Sequence, residues 1–114
     1  MSKFSTSGKG FHLTFENGLT ISVQWGYFNY CTNRQGPLAP KISHDELDEL
    51  KRNKFFDSNT AEIAIWDESG KWVKFEHDQV KGWITSDEVA DYITKVKNAT
   101  SVDELHEGSG LILE

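Results

Sequence analysis

The chain has 114 residues, a length that suits one domain able to bury a hydrophobic core without staples. Its composition, 37% hydrophobic and 26% charged, is that of a globular protein rather than a disordered or fibrous one. A net charge of −6 argues against bulk binding of DNA or RNA, which needs clustered Lys and Arg, and a single cysteine, Cys31, excludes an internal disulfide.

The charge is unevenly placed. Residues 1–41 carry a balance of +3 and residues 42–114 a balance of −9. An acidic surface of this kind suits a basic protein partner and speeds the encounter with it. The opening "MSKFSTSGKG" is polar and lacks the apolar run of a signal peptide, so residues 1–9 are expected to form a loose N-terminal arm. No stretch approaches the roughly 18 apolar residues of a membrane span. With one cysteine and no secretory signal, a reducing cytoplasm is the expected setting.

From residue 10 the pattern alternates. Phe11, Leu13 and Phe15 share one face; Leu19, Ile21, Val23 and Trp25 follow at the same period after a turn. A two-residue "NG" loop would put the two apolar rows on opposite faces. A three-residue loop, Glu16-Asn17-Gly18, pairs Phe15 with Leu19, Leu13 with Ile21 and Phe11 with Val23, and predicts a type I turn with Gly18 left-handed at a bulge.

Gly26 breaks this pattern, and "YFNYCTNRQGPLAPK" runs on as a loop of unusual length. Tyr27, Phe28 and Tyr30, close to Trp25 and followed by Asn33 and Arg34, have the composition of a binding surface: flat amphipathic rings, amides and a guanidinium. They suit a protein partner, or a nucleobase stacked on a ring. One or two of the rings could instead cap the sheet end. The segment after the loop predicts a short helix near 44–53. Asp45, Glu46, Asp48 and Glu49 give it an acidic patch, and Leu47 and Leu50 a narrow apolar edge.

"AEIAIWDESGKWVKFEH" repeats the hairpin device. With Glu68-Ser69-Gly70 as the loop, Asp67 pairs with Lys71, Trp66 with Trp72, Ile65 with Val73, Ala64 with Lys74 and Ile63 with Phe75. The core face is then Ile63, Ile65, Val73 and Phe75. The Trp66–Trp72 pair lies on the other face, either covered by a helix or the arm, or open to a partner. "VKGWI" reads as a turn and a short extended piece, with Trp83 and Ile84 sealing the core.

Three helix-start signatures follow one scheme: "ISHDEL" with Ser43 and Glu46, "ITSDEV" with Thr85 and Glu88, and "TSVDEL" with Ser101 and Glu104. Each has a hydroxyl cap and a glutamate three residues on. The main helix is predicted over about 86–97, where Val89, Tyr92, Ile93 and Val96 form a stripe and Lys95 and Lys97 close the last turn. "VDELHEG" makes a turn or two, and residues 108–114 form a tail. The whole predicts a single α+β domain over 10–107. It is an antiparallel sheet of about four strands built from two hairpins, with one main C-terminal helix packed on it and one or two short helices.

No metal site is predicted, because His12, His44, His77 and His106 share no ligand spacing and no second cysteine exists. No cofactor loop is present, and "SGKG" lacks the strand and helix that frame a phosphate loop. Cys31 as a nucleophile with a histidine base is the one enzymatic alternative; a cysteine beside aromatics is otherwise a small packing residue.

The segments "FHLTFENGLTISVQWG…NYC", "AEIAIWD" and "VKGWITSDEVADYI" resemble small proteins encoded by bacteriophages and prophages. The likeness covers about residues 10–35 and 60–95, with 36–57 as an insertion, and supplies no catalytic residues to carry over. It implies a non-enzymatic accessory protein in the cytoplasm of an infected bacterial cell. Such a protein would bind and inhibit a nucleic-acid-handling defence protein with a basic surface, such as a nucleic-acid-guided nuclease, in the manner of an anti-CRISPR protein. The expected contact residues are Trp25, Tyr27, Phe28, Tyr30, Asn33 and Arg34 with the acidic Asp45, Glu46, Asp48 and Glu49. A nucleotide or small-molecule sponge is the second reading, and a minor virion component the third.

Overall fold

The computed structural model describes residues 2–6, 10–26, 29–32, 58–76 and 78–107. Among them run five strands, β1 (Lys3–Ser5), β2 (Gly10–Thr14), β3 (Thr20–Gln24), β4 (Ala61–Trp66) and β5 (Lys81–Ile84), then helix α1 (Ser86–Asn98) and a 3-10 turn (Val102–Leu105). The strands form one antiparallel sheet in sequence order. The fold is therefore α+β, with five strands where the sequence predicts about four. Two of the five differ from the two expected hairpins: Lys3–Ser5, expected in the arm, and Lys81–Ile84, expected as a turn and a short extended piece. The second strand of the second hairpin is reduced to a bridge at Trp72. At three residues Lys3–Ser5 is too short to show a period-two pattern.

The first hairpin has the register that its apolar face demands. Phe11 lies opposite Val23 and Leu13 opposite Ile21. Phe15 N–H donates to the Leu19 carbonyl at 2.9 Å, and Gly18 adopts φ +86°. That backbone region is cheap only for glycine. On the opposite face Thr14 and Thr20 share a hydrogen bond of 2.8 Å.

The second hairpin starts as predicted and then departs. Gly70 has φ +87°, Asp67 N–H donates to the Lys71 carbonyl, Trp66 bridges to Trp72, and Val73 N–H donates to the Ile65 carbonyl at 2.8 Å. The expected continuation, Ala64 with Lys74 and Ile63 with Phe75, does not form. Phe75 N–H instead closes a turn on the Asp78 carbonyl, and Ile63 pairs with Lys81 of β5. One edge of β4 is thus shared between two segments. Val73 and Phe75 still reach the core.

α1 packs on β3 and β4. Thr85 and Glu88 form a complete capping box, with Lys95 and Lys97 in the last turn. Leu19, Ile21, Val23, Ile63, Ile65, Val73, Ile84, Val89 and Val96 fill the space between sheet and helix. Burying a side chain of this size stabilises the fold by about 1.5–3 kcal/mol. The signature at Ser101 gives no capping hydrogen bond. The turn is 3-10, and Thr100 bonds Glu104 instead. The signature at 43–46 and the predicted helix near 44–53 lie outside the described residues.

Candidate functional site

The sheet ends in an irregularity at β5. Ala61 pairs with Ile84 and Ile63 with Lys81, so Gly82 and Trp83 together face Glu62 alone. Two residues opposing one make a bulge, a device that re-aims side chains and recurs beside functional sites. Here it turns Ile84 inward, where it is buried, and Trp83 outward, where it is 56% exposed. The expectation that Trp83 seals the core is corrected: Ile84 alone does so.

Trp83 is the one non-glycine residue with positive φ, at +60°, among the described residues. A bulky residue there costs of order 1–3 kcal/mol and persists only where its surroundings hold it. They do. Trp83 N–H donates to the Tyr30 carbonyl at 2.8 Å. At Gly82 a Cβ would lie 2.3 Å from the Tyr30 Cβ and 2.6 Å from its carbonyl oxygen, so only glycine permits the approach.

The segment 29–32 that meets Trp83 is itself tied down. Asn29 Oδ1 accepts from Gly26 N–H at 2.8 Å, and Asn29 Nδ2 donates to Glu62 Oε1 at 3.0 Å. Tyr30 N–H donates to Glu62 Oε2, and Thr32 N–H to Thr60 Oγ1. Glu62, the residue opposite the bulge, therefore fixes the aromatic segment with both carboxylate oxygens. Tyr30 is 40% exposed, whereas Cys31 next to it has no exposed surface. Acid follows directly in the chain, with Asp87 and Glu88 in the first turn of α1. Hydrogen bonds from the Thr85 backbone and hydroxyl hold the Glu88 carboxyl below its usual range.

Of the residues predicted to bind a partner, the structure describes Trp25 and Tyr30. Tyr30 is on the surface beside Trp83. Trp25 is half-buried, edge-on to Phe11 with ring centroids 6.2 Å apart. It lines a cleft of about 520 Å³ with Phe11, Val23, Ala61, Ile84 and Val89. Tyr27, Phe28, Asn33, Arg34, Asp45, Glu46, Asp48 and Glu49 lie outside the described residues. Trp83 was missed as a surface residue because a tryptophan after a strand residue reads as core; the adjacent glycine in "VKGWI" is the signal that could have marked a bulge.

Two other polar clusters are present. The Tyr92 hydroxyl donates to Glu107 Oε2 at 2.6 Å, and Lys81 Nζ reaches Glu107 Oε1 at 3.3 Å. Burial, and then the Glu107 carboxylate, push the Tyr92 phenol well above its usual range. Asp103 bridges Lys71 at 2.6 Å and His106 at 3.3 Å, and the Lys71 contact holds its carboxyl low. The first ties Glu107 to α1 and β5, and the second ties the 3-10 turn to Lys71 after the second hairpin loop. The Trp66 and Trp72 rings stack at 4.9 Å, and His12 meets Trp66 edge-on. No group of His, Cys, Asp and Glu able to hold a metal occurs among the described residues. No helix among them is long and apolar enough to cross a membrane.

No protein-family model, curated protein or solved structure matches this chain.

Proposed function

We propose that this chain is a non-enzymatic accessory protein of the phage type that docks on a bacterial nucleic-acid-handling protein and inhibits it. The anchor is Trp83, with Tyr30 beside it. The observation that carries this reading is Trp83 itself: an exposed indole in a costly backbone conformation on a bulge, its N–H bonded to the Tyr30 carbonyl, with Tyr30 in turn tied to Glu62 of β4. Strain kept at a surface aromatic has no use for the core, whereas a rigid, exposed tryptophan is the commonest kind of binding hot spot.

The partner presents a basic surface. The acid that follows Trp83 at Asp87 and Glu88, and the −9 balance beyond residue 41, favour Arg and Lys opposite, with a guanidinium able to stack on an indole face. Asp45, Glu46, Asp48 and Glu49, and the rings of Tyr27 and Phe28, are further contact residues proposed from the sequence alone. The setting is the cytoplasm of the infected cell. The test is affinity capture from the bacterial host with the intact chain and with Trp83→Ala, followed by a salt titration of the purified pair. A specific partner, lost with Trp83→Ala and weakened steeply by salt, is expected. A partner bound equally by both chains contradicts the reading.

A second reading, a binder of a nucleotide or other planar small molecule, is favoured by the cleft that Trp25 lines, where apolar side chains meet Asn59, Thr60 and Ser86. Its volume of about 520 Å³ is of the size such ligands fill. A nucleotide panel that leaves the melting temperature unchanged at saturation retires it.

A further inference from the structure

The two edges of the sheet are finished differently. On the β4–β5 side other segments take up main-chain groups. Trp83 N–H bonds the Tyr30 carbonyl, Lys74 N–H bonds His106 Nδ1, and Glu107 N–H bonds the Lys74 carbonyl. On the other side β1 is the last strand among the described residues, its three residues all exposed. Phe4 at its centre is 85% exposed.

The hydrogen-bond alternation of antiparallel strands fixes where the Phe4 backbone points. Phe15 bonds Leu19 across the first hairpin, so Leu13 and Phe11, at every second position, also turn their main-chain groups toward β3. Thr14 and His12 turn theirs toward β1, where they meet Lys3 and Ser5. Phe4 faces Leu13 in a pair without hydrogen bonds. Its N–H and C=O therefore point off the sheet. The same alternation carried through β3 and β4 puts the Ile65 carbonyl on the far edge, where Val73 N–H is found bonding it at 2.8 Å.

We propose that this edge is a homodimer interface, in which β1 of a second copy pairs antiparallel with it about a two-fold axis at Phe4. The strand is complementary to itself. Phe4 and its symmetry mate exchange two N–H···O=C bonds, and Lys3 lies opposite Ser5 of the second copy, so like charges do not meet. The two phenyl rings become a cross-strand aromatic pair on the face that carries Leu13. Each covers the other's exposed ring. The two-fold uses up both open edges, so association stops at two rather than running on as a fibre. A contact of three residues per copy makes a weak, concentration-dependent dimer.

Disulfide trapping tests this directly. Facing residues in a hydrogen-bonded antiparallel pair have Cα atoms about 5.5 Å apart, within the range of a disulfide. Phe4→Cys is expected to form, under mild oxidation, a covalent species of twice the 13.0 kDa chain mass. The buried Cys31 does not compete. Ser5→Cys, offset by two residues from its own mate, stays uncrosslinked. Phe4→Pro removes the outward N–H while leaving the β1–β2 bonds of Lys3 and Ser5. It should keep the melting temperature and weaken the dimer seen by sedimentation by about tenfold or more. Four results would overturn the proposal: a natively folded Phe4→Cys chain that does not crosslink, equal crosslinking of Ser5→Cys, a wild-type chain that stays monomeric at millimolar concentration, or unfolding of Phe4→Pro. Pairing of β1 with a strand of a different protein, and not with its own copy, overturns it as well.

Discussion

The Asn17 side-chain amide, in the turn of the first hairpin, donates to the carbonyl of Val96 at the end of α1, at 2.8 Å. It also reaches the Ala99 carbonyl at 2.8 Å, while its Oδ1 accepts from Leu19 N–H at 3.0 Å. One side chain thus sets the hairpin turn and caps a helix that has no glycine after it. The cap residue Ala99 is extended, at φ −78° and ψ 155°. Asn17→Ala should therefore cost about 1–3 kcal/mol in urea denaturation. Asn17→Asp should cost at least as much, since a carboxylate loses the donors and faces the negative end of the helix dipole. Equal stability of Asn17→Asp and wild type would show that the contact contributes nothing.

Gly82→Ala places a methyl group 2.3 Å from the Tyr30 Cβ, against backbone as well as side chain. Segment 29–32 must then move. The expected outcome is loss of protection of the Trp83 amide in hydrogen exchange, together with a lower melting temperature. Gly70→Ala is the milder comparison: nothing lies within 4 Å of its added Cβ, so only the backbone cost of φ +87°, about 1 kcal/mol, remains.

The Tyr92 phenol gives the alkaline limit. Its folded-state value is raised above the ordinary 10, by burial first and by Glu107 second. A raised value stabilises the fold fully below the unfolded-state value, and that contribution is lost as pH climbs from about 10 upward. Stability should fall above pH 10 in the wild type and fall less steeply in Tyr92→Phe, measured by urea midpoints across pH 8–11. On the acid side the sign is opposite. Glu88, Asp103 and Asp67 are held low by hydrogen bonds, so their contribution is present at neutral pH and fades as pH drops below the ordinary carboxylate range.

Cys31 has no exposed surface, and its Sγ lies 3.6 Å from the Gly26 carbonyl. A thiol reagent should label it at a rate set by opening of the fold, and at full speed only in denaturant. Fast labelling of the native chain would reopen Cys31 as a nucleophile.

What could be read from the sequence follows from locality. The first hairpin was legible because one buried face admits one register, and Gly18 at the loop end agreed with it. The capping box of Thr85 and Glu88 is likewise a four-residue pattern. The second hairpin misled after Val73. Alternation from Lys71 to Phe75 is satisfied by core burial alone, and nothing local tells that Lys81 competes for the edge of β4. Lys3–Ser5 was too short to register as a strand. Of the candidate site, Tyr30 was legible from composition, but Trp83 was not. Its exposure depends on a bulge opposite Glu62 and a hydrogen bond from a segment some fifty residues earlier, both tertiary facts.

Replacing Trp83 with glycine separates binding from folding most directly. Glycine accepts φ +60° without strain, and the Trp83 backbone N–H to Tyr30 is kept. If the indole is held out for a partner, Trp83→Gly should match or exceed the wild-type melting temperature while affinity for the captured host protein falls by about tenfold or more. A Trp83→Gly chain that is clearly destabilised, yet binds that protein as tightly as before, would mean that the ring serves the fold and that the binding surface lies elsewhere.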